Sequence, residues 1–231
     1  MAPQGRGCLD DISKLDFGED QKLLILKAID KPSAIEIEKW KKVVDILTSK
    51  AVSNPKNGRI AAKICDGIAK SEISQLPEGD EKYFRKLLLT SLQQEYKKHQ
   101  KQDYTNHKSW IGFVNFLCGI FDILHVNNMP LMALIVPVYE VLGVLTDAQF
   151  IKDESAIQCL VVQLQFIGEE LDRLNKAKMD KLIEKLREVL LSPTTTQLSS
   201  LMLLEILELR SGNWKLSPAA YKYYYEEDAK A

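Results

Sequence analysis

Trp110-Ile111-Gly112-Phe113-Val114-Asn115-Phe116-Leu117-Cys118-Gly119-Ile120-Phe121-Asp122-Ile123-Leu124 decides the fold class of this chain. Trp110, Phe113, Val114, Leu117, Cys118, Phe121 and Leu124 recur at i, i+3, i+4, i+7, i+8, i+11 and i+14, the positions of one helix face. The stretch is shorter than the ~20 apolar residues that a membrane-spanning helix needs. It also carries Asn115 and Asp122, so it reads as a buried core helix. The same holds for Leu131 to Leu145, which carries Glu140.

Outward from this helix the pattern repeats. Ile60, Ala61, Ile64, Cys65 and Ile68 keep the helical spacing, as do Ile157, Leu160, Val161, Leu164 and Leu171, and Met179, Leu182, Ile183, Leu186, Val189 and Leu190. No run of four or more residues alternates as a strand would. Stop and start signals cut the chain into nine helices, near 18–29, 33–50, 56–71, 80–100, 104–125, 129–146, 153–174, 176–191 and 195–211. Pro32, Asn54-Pro55, Pro77 with Gly79, Asn127-Asn128-Met129-Pro130, Asp153 and Pro193 supply the punctuation. Pro137 falls inside the sixth helix, where a kink is expected.

Alternate helices start near 18, 56, 104, 153 and 195. The intervals of about 38, 48, 49 and 42 residues are close to the period of two-helix HEAT repeats. The fold expected is all-α: a HEAT-repeat solenoid of about five antiparallel helix pairs, the last one incomplete. The ninth helix, with Leu201-Met202-Leu203-Leu204 and Ile206-Leu207, is apolar nearly all round and needs a cover. The segment Trp214 to Tyr225 is the candidate cover. Arg210 complements the helix dipole, Gly212 is placed to take the left-handed backbone, and Trp214 returns over the last helix, so these three read as a structural cap. The domain scheme is a flexible N-terminal tail at 1–16, one repeat domain at 17–216, and a tyrosine-rich tail at 217–231.

Lys and Arg number 31 against 32 Asp and Glu, a net charge of −1, which argues against a dedicated nucleic-acid binder. Cys8, Cys65, Cys118 and Cys159 match no zinc spacing, and three of them fall in apolar helical patterns, as reduced thiols of the cytosol or nucleus would. No secretory leader is visible at the N-terminus. There is no phosphate loop, nucleophile elbow, HExxH or dinucleotide fingerprint. His99, His107 and His125 have no metal-ligand company, and His99 reads as part of a solvated helix end. No catalytic residue, cofactor or metal is therefore expected. The densest basic patch, Lys97, Lys98 and Lys101, lies beside Tyr96 and Tyr104; aromatics among lysines can stack on single-stranded RNA, but three lysines give only weak contact.

Three segments carry a family resemblance. Cys159-Leu160-Val161-Val162-Gln163-Leu164 with Ile167-Gly168-Glu169-Glu170-Leu171-Asp172, then Met179-Asp180, then Leu207-Glu208-Leu209-Arg210 with Trp214, resemble the middle domain of eukaryotic translation initiation factor 4G. Within that family Leu92-Gln93-Gln94-Glu95-Tyr96, Val126 to Leu134, and Trp214 through Pro218 to Tyr225 look like the small stand-alone members that bind the histone-messenger stem-loop-binding protein. The resemblance implies a non-enzymatic adaptor that links this protein to translation initiation factors and activates non-polyadenylated messages. It also implies homodimers, contact with a DEAD-box RNA helicase, and a cytoplasmic and nuclear location. A helicase-stimulating factor, or a poly(A)- or cap-complex-linked regulator, is the alternative. Partner contacts are expected from Tyr96, Tyr139 and Glu140, on second helices of their pairs, and from Tyr223, Tyr224 and Tyr225, because aromatic side chains dominate binding hot spots.

Overall fold

The computed structural model describes residues 4–77 and 81–225. Among them are eleven α-helices and one two-stranded hairpin, so the chain is all-α as its periodicity predicts. It divides into two compact units, Met1–Met132 and Ala133–Ala231.

The first unit holds α1 (Gln4–Ser13), α2 (Glu19–Asp30), α3 (Ile37–Ser53), α4 (Gly58–Gln75), α5 (Phe84–Lys101), α6 (His107–Ile123) and the strands β1 (His125–Val126) and β2 (Met129–Pro130). Alternate helices stack: α2 on α4, α4 on α6, and α3 on α5. Consecutive helices meet across the two layers, which is the arrangement of HEAT-type helix pairs. The quoted face of α6 is buried throughout, and so are Ile111, Phe116 and Ile120 beyond it, because α6 is packed by both α3 and α4. The closest approach is to α6: a Cβ at Gly112 would lie 2.7 Å from the Val52 carbonyl oxygen, and one at Gly58 2.7 Å from the Phe116 nitrogen. Glycine at both places lets the backbones come that near. Arg59 of α4 pairs with Asp122 of α6, and Asn115 Nδ2 donates to the Pro55 carbonyl at 3.0 Å.

The second unit holds α7 (Ile135–Val144), α8 (Glu154–Leu174), α9 (Lys176–Leu191), α10 (Gln197–Ser211) and α11 (Pro218–Tyr225). Here α8 stacks on α10 and α7 on α9, again in alternation. The expected cap at Asp153 is in place, its carboxylate accepting from the Ser155 N–H at 3.0 Å; α10 is capped in the same way by Thr196 Oγ1, which accepts from the Ser199 N–H at 3.2 Å. No helix among the described residues is long and apolar enough to cross a membrane.

Four local expectations are corrected. Residues read as an N-terminal tail contain α1, whose Cys8 and Ile12 are buried, with Leu15 and Phe17 just beyond it; three apolar positions at helical spacing were too few to stand out. The helix expected over 129–146 starts only at Ile135. Asn127 (φ 52°) and Asn128 (φ 61°) instead form the two-residue turn of a hairpin in which His125 pairs with Pro130 and Val126 with Met129. Left-handed values at both central residues are what the type I′ turn requires, and asparagine tolerates them. Pro137 consequently sits in the first turn of α7, where its missing N–H has no helical acceptor to lose, and the reason for a kink disappears. Pro32 opens a short 3-10 turn rather than α3 itself.

One buried acid organises the turn between α4 and α5. Glu72, at 1% exposure, accepts the backbone N–H groups of Tyr83 (2.8 Å) and Phe84 (3.1 Å), capping α5 from another helix. Burial pushes its carboxyl above the usual carboxylate range, and the two backbone donors only partly offset that. Glu72→Gln keeps an acceptor without a buried charge and is expected to unfold in urea near the wild-type midpoint. Glu72→Ala leaves two donors unsatisfied and is expected to cost about 2 kcal/mol; equal midpoints for the two variants would contradict the capping role.

Candidate partner-binding surface and the closure beneath it

The second unit is closed by one polar cluster. Gly168 and Asp172 lie four residues apart on one face of α8, Asp180 is on α9, and Arg210 is in the last turn of α10. Arg210 Nε donates to Asp172 Oδ2 at 3.0 Å and its Nη2 to Oδ1 at 3.2 Å, a bidentate pair; Nη2 also reaches Asp180. After α10 the chain reverses through Asn213 (φ 54°) and Trp214 (φ 60°), with the Trp214 N–H donating to the Leu209 carbonyl at 2.8 Å. The indole Nε1 then donates to Asp172 Oδ2 at 3.1 Å. Its ring lies on Gly168, so that a Cβ there would sit 2.1 Å from Cη2 and Cζ3. Gly212 itself is not left-handed, at φ −84°. Its role is close approach, since a Cβ would meet the Lys215 carbonyl oxygen at 2.3 Å. Burial works to raise the Asp172 carboxyl; the Arg210 guanidinium and the Trp214 indole outweigh it and hold the group below the usual range.

Tyr139 belongs to this interior. At 7% exposure, its hydroxyl reaches the carbonyls of Leu171 (2.8 Å) and Asn175 (3.1 Å) at the end of α8. The expectation that it faces a partner does not hold, because the ring and its only proton are used up inside the unit. Glu140, the next residue on α7, is exposed.

The tyrosines of α11 divide by their hydroxyls. Tyr225 donates to the Glu205 carboxylate and accepts from Gln165 Nε2 at 3.2 Å, while Tyr224 donates to Glu208 Oε2 at 3.1 Å. Burial first, and the adjoining carboxylates next, push both phenols up to about 12, so both stay protonated donors near neutrality. Tyr223 is 57% exposed and meets Tyr224 edge-on. Glu205, a buried acid on α10, had no signal in the sequence beyond its place among leucines.

In the first unit, the α5–α6 corner gathers an aromatic cluster. Tyr104 (ring centroids 4.6 Å), His99 (5.3 Å) and Tyr96 (6.2 Å) all surround Trp110, with Phe113 beside them. His99 is buried at 1% exposure, not solvated as expected, because it points into this cluster from the last turn of α5. Asp103 (φ 47°) and Tyr104 (φ 55°) take left-handed backbone to bring Tyr104 back onto Trp110. Lys97, Lys98 and Lys101 are exposed around the corner, Lys98 paired to Glu95 at 2.9 Å. Tyr96 and Tyr104 are half-buried against the core ring, so neither offers the free face that stacking on a base needs.

Among the described residues no three His, Cys, Asp or Glu side chains are placed to hold a metal. All four cysteines are buried, and burial pushes the Cys8 thiol to about 11 and those of Cys65 and Cys159 higher, far from a nucleophilic thiolate.

The MIF4G domain profile matches residues 6–213. The human MIF4G domain-containing protein is 37% identical over 212 residues, covering 91% of this chain and 93% of the relative. A zebrafish relative, MIF4G domain-containing protein B, is 40% identical over 219 residues, covering 94% and 96%. The chain belongs to the MIF4G domain family. The MIF4G segments singled out in the sequence (Ile167-Gly168 with Leu171-Asp172, Met179-Asp180, and Leu209-Arg210 with Trp214) thus meet in one place, the joint that closes α8, α9 and α10.

A carboxyl held below its ordinary value contributes stability above the unfolded-state value, about 3.9 for Asp, and loses it as pH falls through the lower folded value. Urea midpoints are therefore expected to fall as pH drops below about 4 in the wild type, with a smaller fall in Asp172→Asn. Asp172→Ala, which removes the bidentate partner of Arg210 and leaves it Asp180 alone, is expected to cost about 1–2 kcal/mol at neutral pH. Identical acid profiles for wild type and Asp172→Asn would contradict the assignment.

Proposed function

We propose that this MIF4G domain protein is a non-enzymatic translation adaptor that binds the histone-messenger stem-loop-binding protein and links it to translation initiation factors. The observation that carries this reading is the MIF4G domain itself, matched over residues 6–213 and shared with relatives 37% and 40% identical. A helical-repeat domain recognises partners through the outer surfaces of its helices, by accepting a peptide or helix with apolar anchors. The side chains of the family signature support the same reading, because they are consumed in mutual hydrogen bonds and packing. Their use leaves Glu140, Tyr223 and the lysines of the α5–α6 corner as accessible groups for a partner. Homodimerisation, a DEAD-box helicase partner and residence in cytoplasm and nucleus belong to the same proposal, as does weak or no direct contact with RNA.

Titration of the purified protein with the N-terminal region of the stem-loop-binding protein tests it. Saturable binding at about micromolar affinity or tighter is expected, with the mass of a dimer by light scattering and no change in a helicase's ATP turnover. Stimulated ATP hydrolysis without peptide binding would replace the proposal with a helicase-regulating role.

A further inference from the structure

We propose that Tyr225 is a phosphorylation site, and that its modification releases α11 from α10. Over its described residues, Pro218–Tyr225, the helix buries a single residue, Ala220. Helices of a few turns are marginal in water on their own, so its docking rests on its contacts. Those contacts are hydroxyl tips. Tyr225 Oη donates to the Glu205 carboxylate, Gln165 Nε2 bridges Tyr225 Oη (3.2 Å) and Glu205 Oε1 (2.7 Å), and Tyr224 Oη donates to Glu208 one helical turn away. The Tyr225 ring is 48% exposed and stacks on Tyr221 with centroids 5.0 Å apart. A segment held this way opens locally at little cost, as a kinase that binds its tyrosine in extended chain requires.

The chemistry inverts the latch. A tyrosine kinase transfers the γ-phosphoryl group of ATP: the Oη–phosphorus bond forms, the bond from that phosphorus to the ADP oxygen breaks, and the phenolic proton leaves to the kinase's base. The product has no hydroxyl hydrogen for Glu205 and carries nearly two negative charges at neutral pH. It stands against Glu205 with Glu208 close by. The sequence continues Glu226-Glu227-Asp228, adding like charge. Attraction at the tip becomes repulsion, and among the described contacts the Tyr224–Glu208 hydrogen bond and the buried Ala220 are left to oppose it. Tyr223, exposed and set edge-on to Tyr224, is the internal control.

The full chain is incubated with Mg-ATP and a broad-specificity tyrosine kinase domain, the sites are mapped by mass spectrometry, and hydrogen exchange is followed over residues 216–225. Phosphate on Tyr225 is expected, with exchange in that peptide faster by about tenfold or more. In the Glu205→Gln, Glu208→Gln variant both hydroxyls keep an amide oxygen to donate to, so α11 stays docked, and the same modification is expected to change exchange by less than about twofold. Modification of Tyr221 or Tyr223 without Tyr225 would overturn the proposal. So would a phosphorylated Tyr225 with unchanged exchange, fast exchange in the unmodified double variant, or equal release in the two backgrounds.

Discussion

The bidentate pair between Arg210 and Asp172, with the Trp214 indole as third donor, is the interaction on which the end of the fold depends. It joins α8 to α10 and, through Asp180, to α9. It also sets a requirement on the backbone. Trp214 stands in left-handed conformation, which costs a non-glycine residue about 1 kcal/mol or more. Such strain persists where surroundings fix it from several sides. Here the Leu209 carbonyl fixes the main chain, Asp172 the indole nitrogen, and the bare Cα of Gly168 the ring.

That joint separates structural residues from those left for recognition. Tyr139 holds the end of α8 from the interior and the half-buried Trp214 covers its face, so two aromatic residues with the composition of binding hot spots serve the fold. Trp110 plays the corresponding role in the first unit, where His99, Tyr96 and Tyr104 pack around it. What remains outside includes the lysines about the α5–α6 corner, Glu140 on α7, the tyrosines of α11 and apolar side chains such as Leu23, Leu191 and Leu198.

Much of this was legible in the sequence where one period ran long enough. The α6 face from Trp110 to Leu124 is buried residue for residue. Asp153 caps α8, and the spacing of alternate helices matches the stacking within each unit. Legibility failed where a residue type has two uses. Asn127-Asn128 reads equally as a helix stop or a left-handed hairpin turn, and only the pairing of Val126 with Met129 decides it. Gly212 suggested a left-handed cap, but it meets the Lys215 carbonyl, and the left-handed burden fell on Asn213 and Trp214. Glu72 and Glu205 gave no signal, since a buried acid is defined by partners far away in the chain. For the site, the signature segments marked the right residues; that Asp172 joins them could not be read, because Arg210 and Trp214 lie 38 and 42 residues from it.

The central claim is that Gly168 exists to seat Trp214. A double-mutant cycle in urea tests it most directly. In a helix interior, Gly→Ala ordinarily gains about 0.5–1 kcal/mol. With Trp214 present, Gly168→Ala is expected to destabilise by about 2 kcal/mol, as an added methyl does in a filled space. In the Trp214→Ala background the same change is expected to be neutral or stabilising. An equal effect of Gly168→Ala in both backgrounds would show that the ring does not rest on that residue, and would contradict the account.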